Sequence, residues 1–259
     1  MVAWLPAVAL TLPKALILFA IGIAAGIFNG VAGGGTLLTF PALLALGVPA
    51  LSANITSTVG VLPSYLGSIA GFRSQIKAVG STVVRLLPAA IVGGSIGAVL
   101  LVTTPATSFR TLVPWLILLA TVLFALQPML ARRFAHVAHD HPTRGILLQL
   151  GTVAISIYGG YFGAAMGVMM LAVFGICLVA TLAEIGGIRS ILSLVVNALA
   201  AVIFIIDGHV LWLFAAVLAL GTLLGGWIGA RLALSMPVPL FRLTVVVIGA
   251  ITTVVLFAT

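Results

Sequence analysis

Residues 26–40, GIFNGVAGGGTLLTF, decide how this chain folds: an apolar helix arrives, three consecutive glycines interrupt it, and a second apolar run leaves. Glycine costs about 0.8–1 kcal/mol relative to alanine in a helix interior. Gly33, Gly34 and Gly35 in a row therefore predict a break, and Thr36 opens a new helix whose first backbone N–H groups have no partner within it. In a bilayer, irregular backbone is tolerated only where protein or a water-filled cavity satisfies it. Half-helix N-termini at such breaks are where transporters hold anions, so the candidate site starts here.

The chain has 259 residues, 63% hydrophobic and only 5% charged, with a mean hydropathy of +1.40. An ordinary soluble domain carries about 25% charged residues, so this composition belongs to an integral membrane protein whose first partner is the lipid bilayer. Long continuous apolar runs imply helices, because barrel strands alternate over about 10 residues. The net charge of +8 comes from eleven Lys and Arg scattered singly between apolar runs. That is a topology signal rather than a nucleic-acid surface, and no nucleic-acid partner is expected.

Cys177 is the single cysteine and lies in an apolar run without Cys/His ligand spacing, so neither metal nor cofactor is expected. His136, His139 and His141 with Asp140 have the composition of a metal tract, but no second ligand cluster accompanies them and a solvated loop is the preferred reading. Three acidic residues, all near predicted loops, leave no paired acids inside the membrane. An intramembrane enzyme is not expected.

In chain order, the pattern predicts a helix from Leu12 to Val31, the break, a short helix from Thr36 to about Leu46 and a turn at Gly47 to Pro49. The opening MVAWLPAVALTLPK lacks the basic head of a signal peptide, so the first helix is expected to remain. Ser52 is a candidate cap for a third helix reaching Gly71, and Phe72 to Ala78 reads as a polar loop. Spans from Ser81 to Val102 and from Phe109 to Leu130 complete the half. The hydrophilic stretch ARRFAHVAHDHPTR, residues 131–144, is the natural boundary. The expected organisation is a first transmembrane repeat over 1–131, a linker over 132–144 and a second repeat over 145–259.

The second half echoes the first. Gly30, Gly34 and Ser57 match Gly163, Gly167 and Ser190 at a shift of 133, and GGSIGA at 93–98 recurs as GGWIGA at 225–230, shifted by 132. Pro105, Phe109 and Arg110 recur as Pro237, Phe241 and Arg242 at the same shift. Five helical segments per repeat, an odd number, invert the second copy relative to the membrane. The fold class expected is thus all-α and polytopic, with two inverted repeats. Nine of the eleven cations (Arg73, Lys77, Arg85, Arg132, Arg133, Arg144, Arg189, Arg231 and Arg242) then fall on one side and Lys14 and Arg110 on the other. The nine-cation side, with the linker, is expected in the cytoplasm and both termini outside.

The run GIFNGVAGGGTLLTFPALLALGVPALSANITSTVGVLPSYLGSIAGFRSQI, its partner YGGYFGAAMGVMML and the later GHVLWLFAAVLALGTLLGGWIGARL resemble the TauE/SafE family of sulfite exporters. The resemblance covers nearly the whole chain from about Gly22. It implies a bacterial inner-membrane transporter of sulfite, organosulfonates or other small anions, with no cofactor. Members of the family often carry a polar residue such as Gln where this chain has Met166.

The candidate substrate-binding set follows from the breaks. Asn29 lies one turn before the glycines, as a donor to an anion or as a cap for broken backbone. Asn54, Thr56 and Ser57 cluster with Thr58 at the start of the third helix, a polar density that favours a site. Gly33, Gly34, Gly35 and Thr36 supply the first break; Gly163, Met166 and Gly167 the second. Arg189, with Ser190 beside it, is a bidentate oxyanion ligand or a snorkelling, topology-setting arginine. Glu184 is a pairing partner for Arg189, a coupling group or a solvated end charge. Tyr158, Tyr161 and Asn197 are polar groups that tie helices together or line a path. A secondary transporter is favoured over an anion channel or a non-transporting assembly factor, because paired broken helices suit alternating access.

Overall fold

Helix starts and stops follow local chemistry. α1 (Leu12–Val31) has a proline in its first turn, where the missing N–H and fixed φ are no handicap. It ends where Gly33 turns to φ +78° and its N–H closes on the Phe28 carbonyl at 3.0 Å. The chain, described here from a computed structural model over residues 10–134, 143–233 and 239–258, continues with α2 (Thr36–Ala45), α3 (Ala50–Gly71), α4 (Arg73–Ala78), α5 (Gly80–Thr103) and α6 (Ala106–Phe134). The second half holds α7 (Thr143–Tyr161), α8 (Met166–Cys177), α9 (Leu182–Asp207), α10 (Trp212–Ala233) and α11 (Pro239–Ala258). The protein is an all-α polytopic membrane protein.

Among the described residues, five helices, α1, α5, α6 over Ala106–Leu126, α9 and α10, are long and apolar enough to cross a membrane. The two helices after the breaks are not. α2 and α8 have 10 and 12 residues, roughly 15–18 Å at 1.5 Å per residue, against about 30 Å of hydrocarbon. α3 has the length but is polar, and it buries Ser52, Asn54, Thr56, Ser57, Thr58, Ser64 and Ser68. Such a helix survives in a membrane by facing protein rather than lipid.

Glycine stripes bring the helices together. Gly22, Gly26 and Gly30 on α1 lie against Leu218, Thr222 to Gly226 and Ala230 on α10; a Cβ at Gly30 would stand 2.5 Å from the Ala230 nitrogen. Without a hydrophobic drive between helices in lipid, such close packing supplies the association. The recurrent GGxIGA motifs do the same work in each half. Gly93 and Gly97 on α5 meet Val153 and Ile157 on α7, while Gly225 and Gly229 on α10 meet Ile23 and Ile27 on α1. The motif residues are 132 apart (225 against 93) and their partners 130 apart (153 against 23), so each half packs its motif on the first helix of the other.

The contact registers also fix helix directions. α1 and α3 both run parallel to α10, since Thr56 meets Leu211 and Gly71 meets Ala230 at opposite ends of α3. α3 and α9 run antiparallel, with Tyr65 beside Asn197 and Phe72 beside Gly186. α5 starts by the head of α9, where Ile76 meets Gly187, and reaches Val196 at Gly94; α7 runs parallel to α5. One set, α1, α3 and α10, thus opposes the other, α7, α9 and α5.

Several local expectations are corrected. α3 begins at Ala50 with Pro49 as its cap residue, so Ser52 sits inside the first turn, buried, and makes no cap bond. Phe72 to Ala78 is mostly the short helix α4, not a loop. α6 runs on to Phe134, past the end expected at Leu130. The break is repeated at a shift of 130, not 133: Gly163 has the same φ of +78° as Gly33, and its N–H closes on Tyr158 as Gly33 closes on Phe28. His136, His139, Asp140 and His141 lie outside the described residues.

Candidate functional site

The two breaks meet. The Gly167 N–H donates to the Gly33 carbonyl at 3.3 Å, and a Cβ on either glycine would lie 2.5 Å from the other's Cα. Only hydrogen side chains on both permit this backbone contact. Gly33 and Gly167 are therefore the centre of the candidate site, with Thr36 facing the second break from the head of α2, its Oγ1 4.0 Å from where a Gly163 Cβ would stand. Gly34 is used differently, its face covered by the Phe124 ring of α6.

Asn29 takes the capping role. Its Oδ1 accepts from the Gly35 N–H at 3.1 Å and its Nδ2 donates to Ser64 Oγ at 2.7 Å. One amide thereby satisfies a donor at the head of α2 and ties α1 to α3. Ser57 shares a 2.5 Å hydrogen bond with Thr39 of α2. Thr56 accepts from the Leu211 N–H at 3.1 Å, Ser190 donates to Gly186 within its own helix, and Met166 is buried in the apolar cluster with Val196 and Ile188. Thr56, Ser190 and Met166 thus make these contacts within the helix bundle rather than with Gly33 or Gly167.

Arg189 stands apart from these. It is 1% exposed, so it does not snorkel. Its Nη2 donates to the carbonyl of Asn29 at 3.2 Å, which also accepts from the Gly33 N–H, and to that of Gly30 at 2.8 Å, in the last turn of α1 where a cation is favoured. Its Nη1 is buried with no partner and lies 2.9 Å from the Cβ position of Gly33. Glu184 does not neutralise it: that carboxylate is exposed and closes a capping box with Thr181 at the head of α9. Tyr65 of α3 is within electrostatic reach, its hydroxyl accepting from Asn197 at 3.2 Å. A buried ion without a counter-ion costs several kcal/mol, which the end of α1 offsets only in part.

The other break has a neutral counterpart. Asn54 Nδ2 donates to the Tyr161 carbonyl, the last of α7, at 3.1 Å, while its Oδ1 is buried and unpartnered. Each interrupted helix is thus held at its C-terminal end by a side chain from the long central helix of the other half: arginine on α1, asparagine on α7.

A family model described as sulfite exporter TauE/SafE matches residues 18–256. The chain belongs to the TauE/SafE family. It is 28% identical over 239 residues to "Probable membrane transporter protein YfcA" of Escherichia coli (strain K12), covering 91% of this chain and 86% of that protein. A "Probable membrane transporter protein" of Haemophilus influenzae is 25% identical over 236 residues, covering 90% of each chain. "Probable membrane transporter protein ORF9" of a Sinorhizobium species is 26% identical over 240 residues.

In this TauE/SafE protein, composition alone does not single out Tyr65, Ser64 or Thr39. Each is an ordinary polar residue on a helix, and only packing reveals its partner. The glycines at 22, 26 and 30 do carry a readable signal, a spacing of four along one helix face.

Proposed function

We propose that this protein is a secondary transporter that exports a small sulfur-containing anion, such as sulfite or an organosulfonate, by alternating access around the paired breaks. The supporting observation is Arg189: a guanidinium buried where the two breaks meet, with one nitrogen lacking a partner among the described residues. Charge-assisted hydrogen bonds to an oxyanion are what such a group lacks. The binding set proposed is Gly33, Thr36, Gly167 and Arg189, with Asn29 and Gly35 shaping the first break and Asn54 the second. The family's description as sulfite exporters supports the substrate class and direction.

The opposed directions of α1, α3, α10 and α7, α9, α5 support two inverted repeats, the arrangement from which alternating access follows. The site of action would be the bacterial inner membrane. Arg189, being buried, drops out of the charge comparison and leaves eight cations against two, so the side of α4 and the α6–α7 linker is assigned to the cytoplasm.

Uptake into proteoliposomes across sulfite, thiosulfate, sulfoacetate, taurine and sulfate tests this function. Saturable uptake of a sulfur anion, competed by its relatives and lost in Arg189→Gln, is expected. Flux that does not saturate would make the protein a channel, and no flux from pure folded protein would make it a non-transporting factor.

A further inference from the structure

We infer that the anion carried is singly charged, because the buried meeting point of the two breaks holds one fixed positive charge and no acid. This rests on the transport function proposed above and adds the charge of the substrate. Among the described residues, Arg189 is the only charged side chain that is buried. Glu184 is half-buried and engaged with Thr181 at the head of α9, and Asp207 is paired with His209 at the far end of α9, 2.6 Å apart. Beside the guanidinium stand the carbonyls of Asn29 and Gly30 at the end of α1.

The sign of the balance follows from how the two energies scale. The cost of taking an ion out of water rises with the square of its charge, about fourfold from monoanion to dianion, whereas attraction to one fixed cation rises only about twofold. The C-terminal ends of α1 and α7 and the N-terminal ends of α2 and α8 come together at the breaks, and their roughly half-charges of opposite sign offset one another, so the arginine sets the net charge. A monoanion brings the site close to neutrality; a dianion leaves net negative charge in the membrane interior, where it is disfavoured. Geometry agrees: Nη2 is held on the Asn29 and Gly30 carbonyls, while the buried Nη1 has no partner and is free to meet a ligand.

The test is equilibrium binding to the purified protein of three molecules of similar size: methanesulfonate, a monoanion, sulfate, a dianion, and methanesulfonamide, which is neutral. Methanesulfonate should bind at least about tenfold more tightly than sulfate. The apparent affinity for sulfite should fall as pH rises, following the fraction present as hydrogensulfite, with methanesulfonate affinity flat over the same range. Arg189→Gln should lower methanesulfonate affinity about ten- to hundredfold and leave methanesulfonamide unchanged, while Arg189→Lys should keep the preference for the monoanion. Sulfate binding as tightly as methanesulfonate, or sulfite affinity that ignores its own protonation, overturns the inference. Failure of every sulfur anion to bind the wild-type protein overturns the transport function itself, and a misfolded glutamine variant leaves the wild-type comparison intact.

Discussion

Asn29 and Asn54 are both buried asparagines beside a break, yet their hydrogen bonding differs in a way that sets their worth. Asn29 serves Gly35 and Ser64 with both ends of its amide; removing it leaves the buried Gly35 N–H unpaired, at about 1–3 kcal/mol, and takes a donor from Ser64, which keeps its bond to the Val61 carbonyl. Asn54 satisfies only Tyr161 and keeps an unpartnered Oδ1. Its loss removes one orphan while creating another. Thermal unfolding in detergent should therefore rank wild type above Asn54→Ala and Asn54→Ala above Asn29→Ala. The reverse order would show that the Asn29 contacts do not hold the first break.

At the scale of elements, the break is a contact between two interrupted helices, and two glycines separate its backbone strain from its packing. Gly33 and Gly47 both have positive φ, +78° and +87°, but a Cβ at Gly47 would meet nothing within 4 Å. Gly47→Ala should cost only left-handed strain, about 1–2 kcal/mol, with transport intact. Gly33→Ala adds a collision with Gly167 and should abolish uptake as well as lowering the unfolding temperature further. Equal effects of the two on uptake would mean that the apposition of the breaks is not needed. The α1–α10 stripe gives a second comparison: Gly26→Leu must separate the helices, because a Cβ there would already lie 2.7 Å from the Gly226 nitrogen. Loss of folded protein is expected, read as aggregation on size-exclusion chromatography.

For the whole molecule, the helix directions put α4 at one end and the Asp207–His209 turn at the other, since α4 follows the last turn of α3 and Leu211 meets Thr56 in its first turns. Cysteines at Ser74, which is exposed on α4, and at His209, in a Cys177→Ala background, should label from opposite sides of the membrane. An impermeant thiol reagent added outside intact cells should reach His209→Cys and not Ser74→Cys. The opposite pattern would reverse the assigned orientation, and labelling of both would exclude the inverted arrangement.

Composition, the triple glycine and the apolar runs by themselves determined an all-α membrane protein with two interrupted helices, because charge content and helix-breaking residues act locally and leave their mark in order along the chain. The bounds of α1 and the head of α2 were legible for the same reason. Register and partnership were not. The shift of 130 at the breaks, against 132 at the GGxIGA motifs, is invisible in a row of small residues until the positive φ of Gly33 and Gly163 marks it. Tertiary structure alone decided that the Asn29 amide meets the Gly35 N–H at the head of α2 and that Arg189 is buried on the end of α1 rather than reaching for the interface. A hydrogen bond between residues 159 apart in the chain depends on how two helices cross, and no local pattern at either residue records that crossing.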